Sequence, residues 1–123
     1  MKDLEELRAR LRAFAKERDW GQFHSPKNLA MALSVEAAEL LERFQWLTEQ
    51  QSKELKAKDR VAVAEEMADV MIYLILLADY LGIDLLAESH KKVTKNGRRY
   101  PVALAKGRAT KASHLRARRK ARP

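Results

Sequence analysis

The sequence predicts an all-α protein, and three observations predict it. Apolar residues recur at spacings of three and four over most of the first 88 residues. Glycine and proline are scarce, at 4 and 3 in a chain of 123. No segment of useful length alternates apolar with polar residues as a half-buried strand does. The mass of 14.1 kDa is that of one domain, and 46% hydrophobic residues beside 34% charged ones suit a globular rather than a disordered chain.

Each element follows from its residues. A first helix over 3–18 places Leu4, Leu7, Leu11, Phe14 and Ala15 on one face. Asp3 is its N-cap, and Glu5 and Glu6 in the first turn suit the helix dipole. Residues 19–27, with Gly21 and Pro26, form a loop rich in aromatic and polar side chains. Ser25 before Pro26 opens a second helix with proline at its first position. Its apolar stripe of Leu29, Leu33, Ala37, Leu40, Leu41, Phe44 and Leu47 carries it to Thr48. The polar stretch 49–58 is a connector, partly helical. A third helix runs from Asp59 to Leu81. Between Met67 and Ala78 its only charged residue is Asp69, so it is apolar nearly all round. A single small bundle cannot cover every side of such a helix, which predicts burial against another subunit. Gly82 ends it, and Asp84 caps a short fourth helix through about Lys92 or slightly beyond. KNGRRYPV, with Gly97 and Pro101, reads as turn-like. The expected division is a domain over 1–105 and a basic, disordered tail over 106–123.

Charge is unevenly placed. Residues 1–88 hold 12 Lys/Arg against 17 Asp/Glu, a net of −5, whereas 89–123 hold 13 Lys/Arg and no acid, a net of +13. A basic tail on a mildly acidic body is a solvated segment or one that meets a polyanion. Without cysteine there is no disulfide scaffold, thiolate metal site or cysteine nucleophile. The three histidines are scattered, which argues against a histidine-built zinc site. The N-terminus lacks the apolar core of a secretory signal. The longest apolar run, Val70 to Ala78, is about half of a membrane span. These features predict a soluble, cytoplasmic protein.

Two patterns carry chemistry. Glu36 and Glu39 lie three residues apart in the second helix. Glu66 and Asp69, with Glu65 beside them, do so in the third. Each pair shares a helix face and sits among apolar residues, where carboxylates repel one another and resist ionisation. A divalent cation removes that cost. A set of oxygen ligands free of Cys and His suits Mg²⁺ or Mn²⁺, and Mg²⁺ held this way usually binds substrate phosphates too. The second set is aromatic. Trp20, Phe23 and His24 lie in the loop before the second helix. Trp46 follows Glu39 by two turns, and Tyr73 follows Asp69 by one. An aromatic ring at that distance from a metal can hold a planar group whose phosphates reach the metal. Trp46 and Tyr73 also fit plain core or interface positions.

The stretches ERDWGQFHSPKNLAMALSVEAAELLERFQW, EEMADVMIYLILLADYLGIDLL and KVTKNGRRYPV together resemble the MazG-like all-α nucleoside triphosphate pyrophosphohydrolases, most closely the dCTP pyrophosphatase branch. The resemblance covers residues 3–103 and implies a four-helix bundle that assembles as dimers or dimers of dimers. It implies Mg²⁺ ligation by Glu36, Glu39, Glu66 and Asp69, the family's EXXE and EXXD elements. Trp20, Gln22, Phe23 and His24 match the family segment that contacts base and sugar. Trp46 and Tyr73 match further substrate contacts, and Lys95, Asn96 and Tyr100 match an element that closes over the phosphates. Gly21 departs from the larger polar residue common in relatives, which bears on base selectivity. The tail matches no family element.

The implied reaction is hydrolysis of an NTP or dNTP, dCTP or a modified dCTP foremost, to a monophosphate and pyrophosphate, cleansing the nucleotide pool. Glu39 and Glu65 are both candidates to orient or deprotonate the attacking water. Lys95, with Arg98 or Arg99, would balance phosphate charge. The competing reading is a helical dimeric module that binds nucleic acid through its basic tail. That reading leaves the carboxylates unexplained, and the tail lacks an aromatic residue after Tyr100. A relative that binds nucleotides without hydrolysing them is the third reading, and the complete carboxylate set argues against it.

Overall fold

The computed structural model describes residues 3–115, and all regular structure among them is helical. The chain divides into two compact units, one ending at Ile83 and the other beginning at Asp84.

In the first unit, α1 spans Leu4–Glu17, a 3₁₀ turn Trp20–Phe23, α2 Pro26–Glu42, α3 Glu49–Lys53 and α4 Ala57–Tyr80. The caps follow the sequence. Asp3 accepts from the Glu6 amide at 3.0 Å, and Ser25 accepts from the Asn28 amide at 3.1 Å with Pro26 at the first helical position. Leu29, early in α2, lines one hollow with Leu76 and Asp79, late in α4. Arg43, just past the end of α2, reaches Glu66 in the first half of α4. The two helices therefore run antiparallel, and α1 packs on α4. Leu29, Val63, Ile75 and Ala78 are the buried apolar side chains of this unit among the described residues. Met31, Val35 and Leu41 on α2 and Met67, Met71 and Leu74 on α4 are exposed.

Gly82 ends α4 in the left-handed region at φ 66°. The Ile83 amide reaches back to the Ala78 carbonyl at 2.8 Å and the Gly82 amide to that of Asp79 at 3.2 Å, which is a Schellman closure. In the second unit, α5 spans Leu85–Arg99 and α6 Val102–Ala105. Asp84 caps α5 by accepting from the Ala87 amide at 3.0 Å.

Two boundaries differ from expectation. The second helix stops at Glu42 rather than Thr48, because Thr48 adopts an extended backbone and opens α3 with a capping box to Gln51. Trp46 therefore sits in the turn run 43–47 and not on the face of Glu39. The fourth helix continues through Gly97 to Arg99. One internal glycine costs about 1 kcal/mol relative to alanine, and Arg98 and Arg99 in the last turn favour the dipole. Of the expected tail, 116–123 lie outside the described residues. Within 106–115, residues 112–115 are helical, and Ala112 and Leu115 are buried. Among the described residues no single helix is long and apolar enough to cross a membrane.

Candidate functional site

Glu36 and Glu39 lie one turn apart on α2, facing Glu66 on α4. One carboxylate oxygen from each falls within 4.8 Å of the other two. All three side chains are half-buried. One oxygen of Glu36 and one of Glu66 are enclosed without a hydrogen-bond partner. Arg43, one turn beyond Glu39, approaches Glu66 to 3.6 Å. The Glu36 carboxyl, by hydrogen bonding and by charge, holds the Glu39 carboxyl above the usual range. Burial, then Glu39, pushes Glu66 up, and Arg43 opposes both.

Crowded carboxylates, with Glu39 and Glu66 held above their usual range and enclosed, partnerless oxygens on Glu36 and Glu66, are the surroundings a hard divalent cation relieves. The donor set is oxygen only, which fits Mg²⁺ or Mn²⁺. Asp69, expected as a fourth ligand, stands outside this group of three. It lines the adjoining cavity instead. Glu65 is exposed and also outside the group.

That cavity, about 450 Å³, opens between α1, the 3₁₀ turn and α4. On α4 its lining runs Asp69, Tyr73 and Leu76, one stripe at helical spacing that begins one turn beyond Glu66. On α1 it runs Leu7, Leu11 and Phe14. Trp20 meets Phe14 edge to face, with centroids 5.5 Å apart at 73°, and Arg18 covers the Phe14 ring at 3.6 Å. The turn that carries Trp20 is set by Asp19, the one non-glycine residue among those described with positive φ, at 53°. Gln22 Nε2 donates to the Asp19 carbonyl at 3.0 Å and to its Oδ2 at 3.2 Å. The Asn28 side chain donates to the Phe23 carbonyl at 3.0 Å, which ties the turn to α2.

The structure thus brings Trp20, His24, Asp69 and Tyr73 to one cavity. Phe23 and Gln22 are exposed. Trp46 is 85% exposed and does not line it. Lys95, Asn96 and Tyr100 belong to the second unit, Lys95 and Asn96 on α5 and Tyr100 as its C-cap. Sequence reasoning missed Arg43 and Phe14. Arg43 was detectable from its place four residues after Glu39, on the same face. Phe14 was read only as part of an apolar stripe.

A family model described as MazG-like matches residues 31–115. The chain is 45% identical over 114 residues to mouse dCTP pyrophosphatase 1, covering 91% of this chain and 67% of the relative. It is 42% identical to the human protein of the same name, with the same coverage. A crystal structure of a pyrophosphatase from Archaeoglobus fulgidus superposes with a TM-score of 0.77 at 42% identity, covering 82% of this chain and 94% of the other.

Proposed function

The chain belongs to the MazG-like family and is a nucleotide pyrophosphohydrolase, and from that premise we propose that it cleaves dCTP or a modified dCTP to the monophosphate and pyrophosphate with Mg²⁺ or Mn²⁺. The carboxylate cluster of Glu36, Glu39 and Glu66, one turn from an aromatic cavity, is the observation that supports this reading. The relatives named dCTP pyrophosphatase 1 support the choice of nucleotide.

The chain's own residues take these roles. Glu36, Glu39 and Glu66 would hold the cation, with Asp69, one turn on from Glu66, as the further ligand that the family resemblance implies. When bound, the cation neutralises phosphate charge and makes water acidic enough to attack near neutral pH. Glu39 is the base of choice, because Glu65 is exposed and outside the cluster. It takes a proton as water attacks the α-phosphorus, the α–β bond breaks, and pyrophosphate leaves. Trp20, and Trp46 from its exposed turn, offer faces on which a base stacks. His24 and Tyr73 line the cavity, and a base that does not match their polar groups leaves those groups unpaired. Gln22 and Phe23 position the turn and contact the sugar. Lys95, Asn96 and Tyr100 serve the phosphates.

The exposed apolar residues of α2 and α4 support a homodimer or a dimer of dimers. The catalytic domain covers 1–105, with 106–123 as an appended basic segment, and the protein works in the cytoplasm. The test is pyrophosphate release from the eight common NTPs and dNTPs, with Mg²⁺ or with EDTA. Mg²⁺-dependent release led by dCTP supports the whole reading. Release led by another nucleotide overturns the base assignment alone.

A further inference from the structure

An ion pair outside the cavity ties its two helical walls together. Arg12 Nε on α1 donates to Asp79 Oδ2 on α4 at 2.8 Å, and a second guanidinium nitrogen donates to Oδ1. Arg8, one turn earlier, stands 3.9 Å from the same carboxylate. The Asp79 side chain is only 16% exposed, against 60% for Arg12.

Neither Arg12 nor Asp79 lines the 450 Å³ cavity. They line a neighbouring hollow of about 380 Å³ that shares Ala15, His24 and Leu76 with it. Asp79 follows Leu76 by three residues, so it continues the α4 stripe of Asp69, Tyr73 and Leu76 by one turn. Arg12 likewise adjoins Leu11 on α1. The pair therefore sits one helical turn from the shared wall and bridges α1 to α4 there.

α1 needs such a tie. It contributes no fully buried residue, and its apolar face of Leu7, Leu11 and Phe14 lines the cavity. A helix held by a loosely filled apolar face is not fixed in position by packing alone. A two-point fork from guanidinium to a mostly buried carboxylate fixes both distance and rotation.

We propose that Arg12 and Asp79 are positioning residues that hold α1 as one wall of the nucleoside cavity, setting nucleotide affinity without taking part in phosphate chemistry. The inference rests on the functional reading above, which places the nucleoside in that cavity.

The test uses the full chain and the nucleotide that leads the hydrolysis panel. Arg12→Ala, Asp79→Ala and the double variant are assayed for pyrophosphate release, with thermal unfolding followed in parallel. Misplacing a cavity wall weakens ground-state and transition-state binding alike. The expectation is a rise of about tenfold in KM for each single variant, with kcat within about twofold. The double variant should equal the worse single one, because both remove the same tie. Arg12→Lys, which keeps the charge and loses the fork, should fall between wild type and Arg12→Ala. A variant melted at the assay temperature is replaced by Arg12→Lys and read against the same prediction.

Unchanged KM in folded single variants, with the wild type turning over normally, overturns the inference and leaves the functional reading intact. Additive effects in the double variant also overturn it, since the residues then act separately. A wild-type protein that hydrolyses no nucleotide overturns the functional reading, and the inference with it.

Discussion

Replacing Trp46 by Ala separates a change in affinity from a change in stability. The indole is 85% exposed, so truncating it removes almost no burial. The cost in stability should lie within about 0.5 kcal/mol, as for an ordinary surface change. A base stacked on an aromatic side chain contributes about 1–3 kcal/mol. On the proposed stacking role of Trp46, its loss should raise KM about 5- to 150-fold, with kcat little changed. The assay pairs steady-state pyrophosphate release with thermal unfolding on the same preparation. Trp20→Ala is the control: it also loses the edge contact with Phe14, so both KM and melting temperature should move. An unchanged KM in Trp46→Ala would refute the stacking role. A fall of several degrees in its melting temperature would show that the indole is packed in the assembled protein, which would refute the premise of free exposure.

Three further outcomes are expected. Leu29 is 2% exposed in the contact between α2 and α4, so Leu29→Ala should lose about 3 kcal/mol and about 10 °C in melting temperature, read by calorimetry. Asp79 is held below the ordinary carboxylate range chiefly by its hydrogen bond from Arg12. Its contribution to stability is complete above the unfolded value of about 3.9 and is lost as pH falls through the lower folded value. Melting curves of wild type and Asp79→Asn should therefore converge as pH is lowered from about 5 to about 2. Glu39 is held above its ordinary range by Glu36, so the ionised cluster destabilises the metal-free protein at neutral pH. In EDTA, Glu39→Gln should melt higher than wild type. In saturating Mg²⁺ the order should reverse, because a cation at 100 times its dissociation constant adds about 2.7 kcal/mol to the form that binds it.

Local chemistry made most of the fold legible. Asp3, Ser25 and Asp84 are caps within three residues of the amides they accept from, and Gly82 ends α4 at a left-handed φ that glycine adopts at no steric cost. The carboxylate cluster was legible for the same reason, since spacings of three put Glu36 beside Glu39. Competition between local signals was harder to read. The apolar stripe of α2 continues into Phe44 and Leu47, yet the capping box of Thr48 and Gln51 starts a new helix and strands Trp46 in a turn. Gly97 looks like a breaker but lies within a helix capped well at its start. Least legible were contacts between distant segments. Arg12 and Asp79 lie 67 residues apart, and no local pattern marks either one. Local spacing places Arg43 on the face of Glu39, but its approach to Glu66 on α4 was not marked by it.

The most direct test of the carboxylate site is pyrophosphate release by wild type and Glu36→Gln, each in Mg²⁺ and in EDTA. Glu36→Gln keeps the side-chain shape and removes one charge from the cluster. The expected result is Mg²⁺-dependent release by the wild type, abolished by EDTA, and a loss of about 100-fold or more in the folded variant. Undiminished release in EDTA, or wild-type rates from Glu36→Gln, would contradict the assignment of Glu36, Glu39 and Glu66 as the metal centre.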